Sequence, residues 1–400
     1  MRIRNHLIAL VILAGFLGLG ILYFRLWVVQ RPFGIILFVS DGLVTRHITA
    51  ARLYSSGAGG TLVMERELPY SALLRNDSLQ FAVPDNASVS NAYATGRKTR
   101  HRTLAMDADG TPLQTILELA RAEGRAVGIV TNGPLGAAST AAFYHHSATA
   151  GDRSANVAAL VAAPRFDVIL GGGAADFLPV SKGGKRTDGR DLLGTQPWEI
   201  VQKKSELENA AAYRDRTLLG VFADERLAFS RDRKAGMPEP ALNDLVRRAI
   251  ECLQINRRGY VLIVDDTLVS SACELNDGES VLRETVELDR AIHTAIQTAG
   301  DRTLILAAGR HSVGGFALNG YPLRNDKGLA ILGPTPEGHP PITWATGPHG
   351  PGVPEPSAYQ TPSALNNAED VIVLGRGNGA EKLRGYMDNT DIFRILREAL

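Results

Sequence analysis

From residue 34 onward, short β-rich apolar runs alternate with stretches whose apolar residues recur at helical spacing. This is the pattern of an α/β domain, a mostly parallel central sheet flanked by helices on both faces. Residues 35–40 predict the first buried strand, which runs out at Asp41 and Gly42, and 126–130, 166–170, 260–264 and 303–307 predict further strands. Just beyond them stand Gly171 to Gly173, Asp265 with Asp266, and Arg310 with His311. Polar residues thus collect where strands finish, the edge at which open α/β sheets bind ligands. Residues 278–299 carry Val281, Leu282, Val286, Leu288, Ile292 and Ile296 at helical spacing, predicting a long amphipathic helix that covers the sheet. Residues 112–123 predict another helix, with Pro112 near its first turn and Gly124 stopping it. Two stretches rich in Gly, Pro and charge, 171–191 and 314–356, read as loops or small inserts over the site of one domain, 34–400.

The N-terminus departs from this pattern. Residues 7–24 are uncharged and mostly apolar. At about 1.5 Å per helical residue the run reaches ~27 Å, close to the ~30 Å hydrocarbon core of a bilayer, and residues 26–29 extend it if Arg25 snorkels. A cleaved signal peptide has a shorter apolar core and an A-x-A-like exit, which Gly18, Leu19 and Gly20 supply poorly. Residues 1–29 are therefore expected to be a cytoplasmic N-terminus and an uncleaved transmembrane signal anchor. Arg2 and Arg4 favour a cytoplasmic start, against the weaker pull of Arg25 and Arg31 on the other flank. The expected location is the inner membrane, single-pass, with the domain on the extracytoplasmic side, periplasmic or extracellular.

Charge and cysteine content narrow the chemistry. The net charge of +1 gives no overall pull toward nucleic acid, so no nucleic-acid partner is expected and any anion chemistry is local. Two cysteines, Cys252 and Cys273, make neither a disulfide framework nor a Cys-rich zinc site, and Cys252 lies in a helical pattern as an apolar residue.

Several segments, in order along the chain, resemble the alkaline phosphatase family. Residues 36–42, ending in Asp41-Gly42 and followed by Thr49 to Arg52, resemble that family's first strand, metal-binding Asp and helix. Pro84-Asp85-Asn86-Ala87 and then Ala94-Thr95-Gly96-Arg97-Lys98-Thr99 resemble its nucleophile segment, which reads Asp-Ser-Ala and then Ala-Thr-Gly-x-Lys-Thr. Residues 167–173, 184–191, 218–222, 283–289 and 387–391 are similar to family segments outside the site, so the likeness covers nearly all of 34–400. The resemblance implies an alkaline-phosphatase-like fold, phosphomonoester hydrolysis through a serine alkoxide, two zinc ions holding the attacking and leaving oxygens, a neighbouring magnesium, an Arg on the phosphate, and a homodimer.

Against that pattern the site is altered. The nucleophile position holds Asn86, whose amide nitrogen has no proton whose loss gives a usable nucleophile. Asp41 matches a metal carboxylate and His311 is kept, but the ligand Asp beside it has become Arg310, a cation that repels zinc. At the other zinc site the ligand Asp is Ser270 and the ligand His is Glu274, leaving Glu274 and His349 where a catalytic zinc normally has three protein ligands. The magnesium Glu becomes Asp265, and the remaining ligand positions become Ala137 and Ser139. Asp41, Asp265 and Ser139 are left to hold a hydrated magnesium or calcium weakly, or else to hydrogen-bond and pair with Arg310. Arg153 stands near the phosphate-binding Arg of the family, the alternative being an ion pair with Asp152. Arg153 and Arg310 together would supply bidentate donors for phosphate or a phosphoester. The sequence thus leads to a membrane-tethered pseudophosphatase with zinc doubtful. Two alternatives stand beside it: an active metal-dependent phosphomonoester hydrolase with a remodelled site, and a structural or interaction protein.

Overall fold

The computed structural model describes residues 2–23, 33–163, 166–194, 197–212, 216–319, 333 and 337–400. It comprises an N-terminal unit, Met1–Pro32, and a domain, Phe33–Leu400. The N-terminal unit is a helix, Arg2–Tyr23, within which Arg4–Leu22 has a mean hydropathy of 2.2 and is long and apolar enough to cross a membrane. Arg25, Arg31 and the proposed extension at 26–29 lie outside the described residues.

In the domain, β1 (Gly34–Ser40), β2 (Tyr70–Arg75), β3 (Ala126–Pro134), β4 (Val168–Gly172), β5 (Glu199–Val201), β6 (Leu218–Val221), β7 (Tyr260–Asp266) and β8 (Leu304–Gly309) join Val371–Arg376 and Tyr386–Asp388 in a ten-stranded sheet. Its order is Tyr386–Asp388, β2, Val371–Arg376, β8, β1, β7, β3, β4, β6, β5. The run from β8 to β5 is parallel throughout, and Val371–Arg376 is antiparallel to both its neighbours. The sheet is the mostly parallel one expected.

β1 is buried along its whole length because alternate side chains enter two different cores. Ile35, Leu37 and Val39 pack with Val89, Tyr93, Ile116, Val157 and Ile392 of the helices on one face. Ile36 and Phe38 pack with Ile48, Leu245, Ala249, Ile292 and Ala295 on the other. The long covering helix runs Gly278–Ala299, capped by Asp277, whose side chain accepts from the Ser280 N–H. The helix expected over 112–123 is shorter, Ile116–Ala122. Thr115 and Glu118 close a capping box there, each side chain bonded to the other's N–H, and this fixes the start beyond Pro112. The stretch 314–356 supplies two strands, Ala317–Leu318 and Ile342–Gly347, of a three-stranded sheet completed by Ser357–Gln360, with Trp344 packed in one core with Val269 and Phe316, so this stretch is not loop alone.

Topology sets the site. β1 lies between β7 and β8, with Val39 opposite Asp265 and Ser40 opposite both Asp266 and Gly309. Asp41 and Arg310, just past the ends of β1 and β8, and Asp265, near the end of β7, are thereby brought side by side although far apart in sequence.

Candidate functional site

Asp41 follows β1 and precedes Gly42, whose φ of +87° turns the chain into the helix Thr45–Ser56. The Gly42 N–H donates to the His311 carbonyl (2.7 Å) and the Arg310 N–H to that of Ser40 (2.9 Å), locking the two strand ends together. Arg310, Asp41 and Asp265 have no solvent exposure. The guanidinium forks: Nη1 donates to Asp41 Oδ1 (2.7 Å) and Nη2 to Asp265 Oδ1. Burial by itself lowers the Arg310 pKa, but Asp265 and Asp41 outweigh it and raise the value, so the group stays charged.

The other carboxylate oxygens are also satisfied. Asp265 Oδ2 accepts from Ser139 Oγ (2.9 Å) and Thr140 Oγ1 (2.6 Å). Asp41 Oδ2 accepts from Ser270 Oγ (3.2 Å) and Asn86 Nδ2 (3.4 Å). Asn86 opens the helix Asn86–Thr95, positioned by Asp85, which caps the helix through the Ser88 N–H (2.8 Å). Its Oδ1 accepts from His311 Nε2 at 2.7 Å, which assigns the His311 proton to Nε2 and leaves the buried Nδ1 without a partner. Burial, with Arg310 beside it, outweighs Asp41 and lowers the His311 pKa, so the ring is neutral. Tyr93 and Asn76 tie down the carbonyls of Gly309 and Arg310 from behind. One layer deeper, Asp266 accepts from Ser40 Oγ (2.7 Å) and Asn132 Nδ2 (2.5 Å), and burial pushes its pKa up to about 7.

Above this floor opens a cavity of about 280 Å³ lined in part by Asp41, Asn86, Ser139, Ser270 and Glu274. Arg310 lies beneath it and is not among its lining residues. Arg153 starts the helix Arg153–Ala162 but faces Asp176 (2.6 Å) and Glu225 (2.8 Å), while Asp152 caps that helix through the Ala155 N–H. The Asp152 pairing weighed from the sequence is replaced by these two. His349 is half-buried, its Nδ1 bonded to the Glu355 carbonyl (3.2 Å), and it too is absent from the lining. Asp41, Asn86, Ser139, Asp265, Arg310 and His311 are thus assembled in one network, Glu274 stands on the cavity wall, and Arg153 and His349 are engaged elsewhere.

Three participants were not foreseen: Thr140, Asn132 and Arg226. Thr140 carries a signal in hindsight, as the second hydroxyl of a Ser-Thr pair at a helix start. Arg226, in the segment after β6, carries none. It lines the cavity with its guanidinium carbon 4.0 Å from the centre of the Phe229 ring.

The chain belongs to the alkaline phosphatase family. The model of the family described as "Alkaline phosphatase" matches residues 34–339. The chain is 28% identical to the tissue-nonspecific alkaline phosphatase isozyme of Gallus gallus, over 88% of this chain and 81% of that protein. It is 29% identical to the streptomycin-6-phosphate phosphatase of Streptomyces griseus, over 92% and 90%. Among solved structures, Thermus thermophilus alkaline phosphatase superposes with a TM-score of 0.76 at 25% identity, covering 93% of this chain and 92% of that one.

The family implies zinc and magnesium, and the donor set here does not fit the zinc pair. A guanidinium sits between the two carboxylates at the sheet edge, taking an oxygen of each, and the His311 nitrogen that faces them carries a proton. No group of three or more His, Cys, Asp and Glu side chains suited to a metal is found among the described residues.

Proposed function

We propose that this chain is a membrane-tethered member of its family that binds phosphate or a phosphoester without hydrolysing it. The observation that carries the reading is the fully buried Arg310 clasped by Asp41 and Asp265. A divalent ion entering there would have to displace a paired guanidinium from a site without solvent, leaving that charge buried and uncompensated. The Asn86 side chain supports the same conclusion, since it offers no ionisable hydroxyl and both its polar atoms are engaged. Nor do the nearby serines replace it: Ser88 Oγ bonds within the cap of its helix, Ser90 is buried, and neither lines the cavity. A phosphoester ligand is inferred from the relatives, which are phosphatases by name. Tethering is inferred from the Arg2–Tyr23 helix, with Arg2 and Arg4 on the cytoplasmic side and the domain beyond the membrane.

The test is an aryl phosphate assay at alkaline pH on the purified full chain, with zinc content read by mass spectrometry before and after adding zinc. Background turnover and sub-stoichiometric zinc are expected. Turnover that rises with bound zinc overturns the proposal.

A further inference from the structure

The cavity wall has a second chemistry that the buried floor lacks. Thr267, Ser270, Ser271 and Glu274 all line the cavity, at positions i, i+3, i+4 and i+7 along and just before the helix Leu268–Glu274, and so present one polar stripe to it. The stripe ends in the Glu274 carboxylate, exposed at the mouth. Arg226 lines the same cavity, half-buried, its guanidinium held over Phe229 with Nη1 donating to the Leu227 carbonyl (3.2 Å). Asp41 is committed to Arg310, and Glu225 to Arg153 and Lys185. Arg226 and Glu274, by contrast, make no ion pair with each other or with any other described residue.

The geometry points to a small zwitterionic ligand, an anionic group carried on a short chain with a primary amine, its anion seated on Arg226 and its ammonium on Glu274. This rests on reading the cavity as a binding site, and it assigns anion recognition to Arg226 rather than to Arg153 or Arg310. A planar guanidinium braced on an aromatic ring keeps its outer N–H donors free for a bidentate oxyanion. An exposed carboxylate flanked by Ser270 and Ser271 suits an ammonium, whose three donors match carboxylate and hydroxyl acceptors. A cavity of about 280 Å³ fits a small metabolite.

Calorimetric titration of the full chain in detergent, with 3-aminopropylphosphonate and propylphosphonate as non-hydrolysable probes, tests this. The amine-bearing probe is expected to bind about tenfold tighter than its amine-free counterpart, the size of one charge-assisted contact. Glu274→Gln should erase that difference without weakening propylphosphonate binding, and Arg226→Gln should weaken both probes about tenfold or more. Equal affinities for the two probes, or an Arg226→Gln variant that folds with an unchanged melting temperature and binds normally, overturn the proposal. Because the probes cannot be hydrolysed, their binding is decided separately from turnover. Activity on an aryl phosphate would sink the non-hydrolytic reading and leave this one standing, whereas failure of both probes to bind would sink this one and leave only the absence of hydrolysis standing.

Discussion

The floor and the wall of the cavity lie side by side yet handle charge in opposite ways. On the floor, Asp41, Asp265 and Arg310 are without solvent exposure and every carboxylate oxygen has a donor. On the wall, Arg226 and Glu274 meet solvent without ion-pair partners among the described residues. Buried charge is tolerable only when paired and hydrogen-bonded, whereas a charge at a cavity mouth is solvated until something binds. Arg310 thus makes the floor a structural element, and the recognition proposed above falls to the wall.

The comparison is broken most directly at Arg310. Arg310→Met leaves two buried carboxylates facing each other, and a loss of about 3–5 kcal/mol in chemical denaturation is expected, with Arg310→Lys recovering part of it because an ammonium cannot fork across both. If Arg310→Met unfolds with the wild-type midpoint, the floor is not held by this clasp.

A smaller effect should come from Asp266 below it. Burial raises its pKa to about 7 in the folded state from an ordinary value of 3.8, so between those pH values the folded chain binds the extra proton and stability falls as pH rises. Across the window the contribution is on the order of 4 kcal/mol. His47, lowered to about 4 from 6.5 by burial, works the other way: it resists protonation when folded, and its contribution rises with pH over about 4 to 6.5. The readout is therefore the difference between wild type and Asp266→Asn, whose relative stability should improve steadily from pH 4 to 7.5. A constant difference would show that Asp266 does not titrate in that range.

The smallest effect belongs to Arg153. Its partner Asp176 has a side chain only 1% exposed, but Arg153 itself is partly solvated, so Arg153→Ala should cost about 1–2 kcal/mol and leave anion binding at the wall within twofold. A large loss of phosphonate affinity in that variant would return anion recognition to Arg153.

The sequence by itself determined the fold class, the apolar N-terminal helix, the positions of the central strands along the chain and the placing of polar residues at strand ends. These follow from local periodicity and from composition, which need no knowledge of distant neighbours. It also led to the expectation that Asn86 and Arg310 stand where the family has a nucleophile and a metal ligand. It left open whether Arg310 faces a phosphate or the two carboxylates, because that depends on β1 lying between β7 and β8, a long-range pairing that no local pattern encodes. The start of the helix at Ile116 turned on a reciprocal cap rather than on Pro112. Arg153 and Arg226 are alike as residues in a string. Only the folded chain gives one of them Asp176 and Glu225 as partners and leaves the other at an open cavity, since whether a charge is satisfied depends on what the rest of the molecule places within a few ångströms of it.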